Sequence, residues 1–349
     1  MEVQASVTLY LLGYGIGQLA LGTLSDSLGR RPILLAGAFV YTLACIESVR
    51  ASTIHLFLMS RLVQGIAIAV PGIAAKACLS DCFSGKALQK ASTYVGIAWS
   101  GGPILAPVVG GYLQHYLGWH ACFYFLAGYS FLILIVSFIF LPETKKYKEA
   151  FYIKAIYLNY SKVLKHPVFI GCIICSCVIY SLMALFNVMG PFIIQDSLHY
   201  SAIEFGHVAF LLGATWFVGS LLNRLFLTFF DARAILISGL IIMVIITGCA
   251  SLIMTKLPFG LTTVVTPLLL IYLAGGLIQP CSFAISPSLF PNLGGIVNAI
   301  SGVCIMLLTS LITLLASQFT THTQMPLIYL YFSMSLFAFL VYRCLMRSH

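Results

Sequence analysis

Charge is what this sequence has least of. Only 8% of its 349 residues are charged, and Asp and Glu together number 9. A soluble domain carries about a quarter charged residues, so a water-facing surface over most of the chain is excluded. Fingerprints of enzymatic chemistry are also missing. No GxSxG elbow, HExxH pair, phosphate-binding loop or dinucleotide fingerprint occurs, and the eight histidines stand singly. His115, His120, His199 and His322 fall near the ends of apolar runs, where an interfacial residue is the simpler reading than a ligand or base.

What is there is apolar surface. Hydrophobic residues make up 60% of the chain and the mean hydropathy is +1.03. A helix that crosses a bilayer needs roughly 20 consecutive apolar residues, and about eleven such runs follow one another. Their cores lie at 7–24, 33–49, 56–79, 91–113, 122–141, 168–194, 205–227, 234–254, 261–283, 296–319 and 327–346. Membrane β-strands would be short and alternating, whereas these runs are continuous. The expected fold class is therefore an all-α membrane protein. Met1 to Ser6 carries no basic residue and Val7 opens a full-length run, so no cleavable signal peptide is expected.

The net charge of +9 raises the question of nucleic acid, and the positions of the basic residues answer it. Arg30 and Arg31, Lys86 and Lys90, the lysines from Lys145 to Lys165, Arg224 and Arg233, and Arg343 and Arg347 fall in alternate loops and at the C-terminal end. The intervening loops hold little beyond Arg50 and Lys256. This alternation is the positive-inside pattern, which places the Arg30 and Lys145 loops and the C-terminus in the cytoplasm and excludes a nucleic-acid face. Most of the eleven cysteines sit inside apolar runs. Cys172, Cys175 and Cys177 lack the paired ligands and polar surroundings of a metal site, so they are expected to be helix-packing residues, with no metal or cofactor.

Residues 142–167 form the longest polar stretch and are expected to link two halves, residues 1–141 and 168–349, of about five and six spans. Aromatic and aliphatic residues from Phe151 to Val163 recur every three or four positions, the pattern of an amphipathic helix at the membrane surface.

Five segments carry chemistry. Between the first two spans stand Gly22, Asp26, Gly29, Arg30 and Arg31, in the order GxLxDxxGRR. Gly22 permits close helix approach, Gly29 a tight turn, and Asp26 with the two arginines charge-assisted contacts at helix ends. Such contacts form a latch if they break in a second conformation, and a simple cytoplasmic anchor if they do not. In the third span Arg61, Gln64 and Gly65 form RxxQG. An arginine about two turns inside an apolar run costs several kcal/mol unless it faces a partner or a wet cavity, and snorkelling to the outer interface is the alternative. Glu47, near the outer end of the preceding span, is a candidate partner. The fourth span holds Gly96, Gly102, Pro103, Ala106, Pro107, Gly110 and Gly111, a glycine-lined helix bent at two prolines. In the second half Asn187, Gly190, Pro191 and Gln195–Asp196 open the helical bundle, and Ser286, Pro287, Phe290, Pro291, Gly294 and Gly295 form SPxxFPxxxG.

Taken together these motifs resemble the major facilitator superfamily over nearly the whole chain, and within it the Bcr/CflA-type drug-resistance exporters. The resemblance is strongest over residues 9–113 and weaker over 228–280, and Asn223, Arg224 and Asp231 only faintly echo the loop signature. It implies proton-coupled efflux of small amphipathic compounds from the cytoplasm across the cell inner membrane, by alternating access between two bundles of a monomer. Small-molecule substrate, protons and the lipid bilayer are the implied partners. Arg61 and Glu47 are implied in proton coupling or passage, and the fourth-span motif marks antiporters. Expected lining residues of the substrate cavity are Gln64, Tyr94, Trp99, Asn187, Trp216 and Gln279. A dedicated metabolite or siderophore exporter, an importer on the same fold, and a transport-inactive membrane protein are the alternatives. Family members carry one more span before the glycine-rich loop, and that helix is expected to be missing from these 349 residues.

Overall fold

The structure, a computed structural model, describes residues 2–83, 85–144, 161–290, 294–319 and 323–345. Among the described residues eleven α-helices stand over the apolar runs: α1 (Glu2–Leu28), α2 (Arg30–Arg50), α3 (Ile54–Cys82), α4 (Gly85–Leu117), α5 (Trp119–Phe140), α6 (Pro167–Pro191), α7 (Ala202–Phe226), α8 (Ala232–Ile253), α9 (Leu261–Ser288), α10 (Gly294–Ala316) and α11 (Met325–Leu345). Among the described residues nine of them are long and apolar enough to cross a membrane by length and composition. Most of the polar linker, including Lys145, Lys146, Lys148 and Lys154, lies outside the described residues, as do Pro291 and Arg347.

Local signals explain where the helices stop. Gly29 separates α1 from α2 with φ +112°, a region open to glycine, and a Cβ there would sit 2.5 Å from Glu143 Oε2. Gly118, with φ +80°, turns α4 into α5. Thr53 caps α3 by accepting the Leu56 N–H at 3.3 Å. Ser201 and Glu204 form a complete capping box on α7. At the end of α6, Pro191 leads into a π-helical turn at Phe192–Ser197, which contains Gln195 and Asp196.

The chain divides into two compact units. The first comprises Met1–Gly102 and Leu113–Lys154; the second comprises Pro103–Tyr112 and Ala155–His349. In the first unit α1 lies against α3, and α2 against both α3 and α5. The α1–α3 pairing is backbone on backbone: a Cβ on Gly65 would strike the Tyr10 carbonyl, one on Gly13 the Leu62 carbonyl, and one on Gly17 would come 2.5 Å from the Ile66 carbonyl. In lipid no hydrophobic force draws helices together, so close van der Waals contact through small residues does this work. Ser130 of α5 ties itself to α2 by donating to the Ala38 carbonyl at 3.0 Å.

In the second unit α6 is the hub, packed on α9, α10 and α11. Its buried partners are polar as well as apolar. Tyr331 donates to the Leu182 carbonyl at 2.8 Å, Tyr272 to the Met183 carbonyl at 3.3 Å, and Ser181 and Thr309 share a bond of 2.9 Å. Cys172, Cys175 and Cys177 are free and buried, and the Cys175 thiol donates to the Ala338 carbonyl at 3.7 Å. Helix α7 pairs with α9 and α8 with α9 and α11. Many hydroxyls are satisfied within their own helix, among them Thr42 on Ala38, Ser181 on Cys177, Thr247 on Met243 and Ser301 on Val297.

Candidate functional site

At the α1–α2 loop the two arginines are held from three directions. Arg30 is buried; its Nε donates to Asp81 Oδ2 at 3.2 Å, and its Nη1 to Ser25 Oγ at 3.0 Å. Glu143, just past α5, accepts the backbone N–H of Arg30 at 3.0 Å and of Arg31 at 3.2 Å. One carboxylate thus satisfies two orphan donors at the α2 N-terminus, where the helix dipole favours negative charge. Arg31 reaches the other way, donating to the Phe138 carbonyl at 2.7 Å and lying 5.6 Å over the Phe138 ring. Thr144 adds a 3.3 Å bond to Asp81. The glycine at position 29 is what lets Glu143 come so close. Asp81 and Glu143 were not singled out from sequence, although Glu143 follows directly on the LP that ends the fifth run. Of Gly22 and Asp26, the structure gives the helical backbone.

Inside the first unit Arg61 is half-buried, with Nη1 donating to Gln64 Oε1. Gln64 is fully buried and its Nε2 donates to the Ala44 carbonyl at 3.0 Å and to Ser48 Oγ at 2.6 Å, while Ser48 and Ser60 share a 2.6 Å bond. The guanidinium also sits 4.5 Å over the Tyr10 ring and 5.6 Å over the Phe123 ring, so aromatic faces take the place of a counter-ion. Tyr10 is there because α1 and α3 touch through Gly65. Glu47 is not a partner: its side chain is exposed. Ser48 faces α3, and one residue along a helix is a step of about 100°, which carries Glu47 off that face. The expected pairing of Glu47 with Arg61 is corrected accordingly.

The fourth-span residues lie on α4. A Cβ at Gly102 or Gly110 meets nothing within 4 Å, whereas at Gly111 it would come 2.6 Å from the Ala202 carbonyl, and on Gly206 of α7 it would come 2.8 Å from the Pro107 carbonyl. Gly111, Pro107 and Gly206 therefore form a close helix crossing within the second unit. Gly96, Trp99 and Pro103 are helical.

Of the six expected cavity residues, Trp99 has its side chain outside the described residues. Tyr94 is exposed and Asn187 is exposed, whereas Gln64 belongs to the buried network above. Trp216 and Gln279 lie in the second unit. Trp216 packs on Gly275, edge-on to Tyr272 at 6.0 Å. Gln279 is buried, and among the described residues neither its Nε2 nor its Oε1 has a hydrogen-bond partner. On the same helix pair, Asn223 donates to the Leu277 carbonyl at 2.6 Å and to Cys281 Sγ at 2.9 Å. Among the described residues no group of three His, Cys, Asp or Glu side chains is placed to hold a metal ion.

Long apolar helices in two units, nine of them among the described residues able to cross a bilayer by length and composition, define a multi-pass membrane protein. Residues 1–313 match the Major Facilitator Superfamily, and the chain belongs to that family. It is 29% identical over 245 residues to the "Bicyclomycin resistance protein homolog" of Haemophilus influenzae, covering 67% of this chain and 60% of that protein. It is 32% identical over 148 residues to the "Multidrug resistance protein D" of Escherichia coli, covering 41% and 36%. The matched stretches thus span less than two thirds of either relative. Among solved structures, that of a D-xylose-proton symporter superposes with a TM-score of 0.77 at 16% identity, over 99% of this chain and 87% of the other. That likeness concerns the fold.

Proposed function

We propose that the protein is a secondary active exporter of the cell inner membrane, moving small amphipathic compounds outward in exchange for protons. Transport runs by alternating access between two helical bundles, residues 1–141 and 168–349, joined by the segment 142–167. The loops at Arg30, Lys86, Lys145 and Arg233 and the C-terminus lie on the cytoplasmic side. The observation that carries the reading is the clamp on Arg30 and Arg31. Carboxylates from the ends of α3 and α5 hold the start of α2, and bonds of that kind at helix ends exist in one helix arrangement and break in another. The names of the two bacterial relatives favour efflux of drug-like compounds. So does the glycine- and proline-rich α4. Arg61 is the candidate for proton coupling or passage, since its guanidinium is held by an amide and two rings, with no carboxylate against it among the described residues. Gln279, buried with both amide atoms unpartnered among the described residues, is the candidate for recognising a polar group on the compound.

The test is a proton-flux measurement in proteoliposomes with an inward proton gradient and a panel of lipophilic cations and neutral antibiotics. The expected result is substrate-dependent proton movement that Arg61→Ala abolishes at unchanged insertion and that Asp26→Asn slows. Parent-rate transport by Arg61→Ala would exclude its role, and proton flux indifferent to every compound would exclude drug export.

A further inference from the structure

The turn between α7 and α8 has the opposite make-up to the loop between α1 and α2. In place of Ser25, Asp26 and Gly29 it holds Leu225, Phe226, Leu227, Phe229 and Phe230, with Arg224 in the last turn of α7 and Arg233 in the first turn of α8. The second unit does not cover these side chains. Phe229 is 74% and Phe230 59% exposed, and Arg224, Leu225, Leu227 and Arg233 are exposed as well.

The backbone of the turn, in contrast, is closed. The N–H groups of Leu227 and Thr228 donate to the carbonyls of Asn223 and Leu225 at 2.9 and 3.1 Å, and those of Phe229 and Phe230 donate to the Phe226 carbonyl at 3.0 and 2.8 Å. The Thr228 hydroxyl donates to the Leu225 carbonyl at 2.7 Å, and the Phe226 and Phe230 rings meet edge-on at 6.4 Å. In water, solvent serves any donor that a turn leaves open. At the boundary of the acyl chains little water does so, and a turn with every N–H satisfied is suited to that depth.

We propose that this turn is a binding site for an anionic phospholipid, with the Phe229 and Phe230 rings at the acyl boundary and the Arg224 and Arg233 guanidinium groups on the phosphodiester of the headgroup. Location selects the occupant. Both α7 and α8 are long and apolar enough to cross a membrane, so the turn between them comes at a bilayer surface whichever side it faces. Arginine stems lie along apolar surface while their charged ends stay at headgroup level, and the guanidinium fork matches phosphate oxygens. Charge then selects among lipids. From residue 168 to 349 the acids are Asp196, Glu204 and Asp231. The first two stand before or within the first turn of α7, at its other end, and Asp231 makes no side-chain capping bond. No ion pair of Arg224 occurs among the described residues. A soluble phosphate has no use for two exposed phenyl rings, whereas a lipid covers them and the arginines together. The site is independent of the direction and coupling of transport.

The experiment places p-benzoylphenylalanine at Phe229, or at Phe230 where that variant is not recovered, in the full chain. The protein is reconstituted in phosphatidylcholine vesicles that contain phosphatidylglycerol, and photo-adducts are read by mass. The expected result is phosphatidylglycerol adducts in excess of its mole fraction, an excess that Arg224→Gln or Arg233→Gln lowers about fivefold each. Lys256→Gln, beyond the far end of α8, should leave it unchanged, as should glycerol phosphate added in solution. On the parent side chains raised salt should lower the excess too, which keeps the test open where an arginine variant does not insert. Adducts in proportion to mole fraction, cross-links to the protein itself, or no adduct, as for a turn in water, would each overturn the proposal. So would an excess that survives both arginine substitutions or one that glycerol phosphate removes.

Discussion

Two helix pairs do the same mechanical work with different chemistry. In the first unit α1 and α3 meet at Gly13, Gly17 and Gly65; in the second α7 and α9 meet at Gly219, Gly275 and Gly276. In both, an added Cβ would collide with a carbonyl of the partner helix, except at Gly275, where it would meet the Trp216 ring. Beside these contacts the pairs diverge. The first surrounds a guanidinium with Gln64, Ser48 and two aromatic rings. The second holds neutral groups, Trp216 on Gly275 and Asn223 on the Leu277 carbonyl. The loops that follow differ in the same sense. Arg30 is clamped by Asp81, whereas the N-cap residue of α8, Asp231, makes no side-chain capping bond. The lesson is that backbone geometry constrains both halves, and side-chain chemistry is free to specialise in one.

The comparison breaks first at the glycines. Gly65→Val and Gly276→Val should each destabilise the detergent-solubilised protein by about 3 kcal/mol, the upper range for overpacking. Gly102→Ala, with open space around its Cβ, should leave the thermal midpoint unchanged. A smaller, asymmetric effect is expected from the amides. Gln64→Leu removes the hydrogen-bond acceptor of Arg61 and one donor to Ser48 and should cost about 2 kcal/mol, while Asn223→Leu loses a neutral bond and should cost about 1 kcal/mol, both read from unfolding midpoints. Equal losses would mean that the charge on Arg61 adds nothing to the network. The smallest effect is at the clamp. Glu143→Gln keeps the shape but removes the charge facing the α2 N-terminus, and should cost about 0.5–1 kcal/mol. That loss should shrink in high salt, whereas Asn223→Leu should be indifferent to salt.

Much of the fold is legible in composition, because a run of apolar residues as long as a bilayer is thick has one stable backbone solution, the helix. All eleven runs are helical, and the breaks fall at Gly29, Thr53, Gly118, Ser201 and Asp231, residues that read as turns and caps. The site is less legible, since its bonds join residues far apart in the chain. Arg30 reaches Asp81 across 51 positions and Glu143 across 113, distances at which no local pattern operates. Glu47 illustrates the opposite error. Nearness in sequence to the right helix suggested a pair, but its angular position on α2 sends it away from Arg61. The burial of Gln64 follows from the α2–α3 contact, and sequence shows an amide without showing which carbonyl it faces.

The hydroxyls bonded inside their own helices bear on how the protein is made. Thr42, Thr247 and Ser301 each donate to a carbonyl one turn back, so those segments enter the bilayer with their polar groups already satisfied and need no neighbour on arrival. Gln64, Asn223 and Tyr331 have no such local solution, and Arg61 has only part of one in Gln64; their remaining partners lie on other helices or in ring faces. Helices α3, α7 and α11 are thus among the helices that reach the membrane incomplete. Assembly during synthesis is then ordered by these residues: α3 is held by α1 and α2 as soon as it emerges, whereas α7 waits for α9, which is made later.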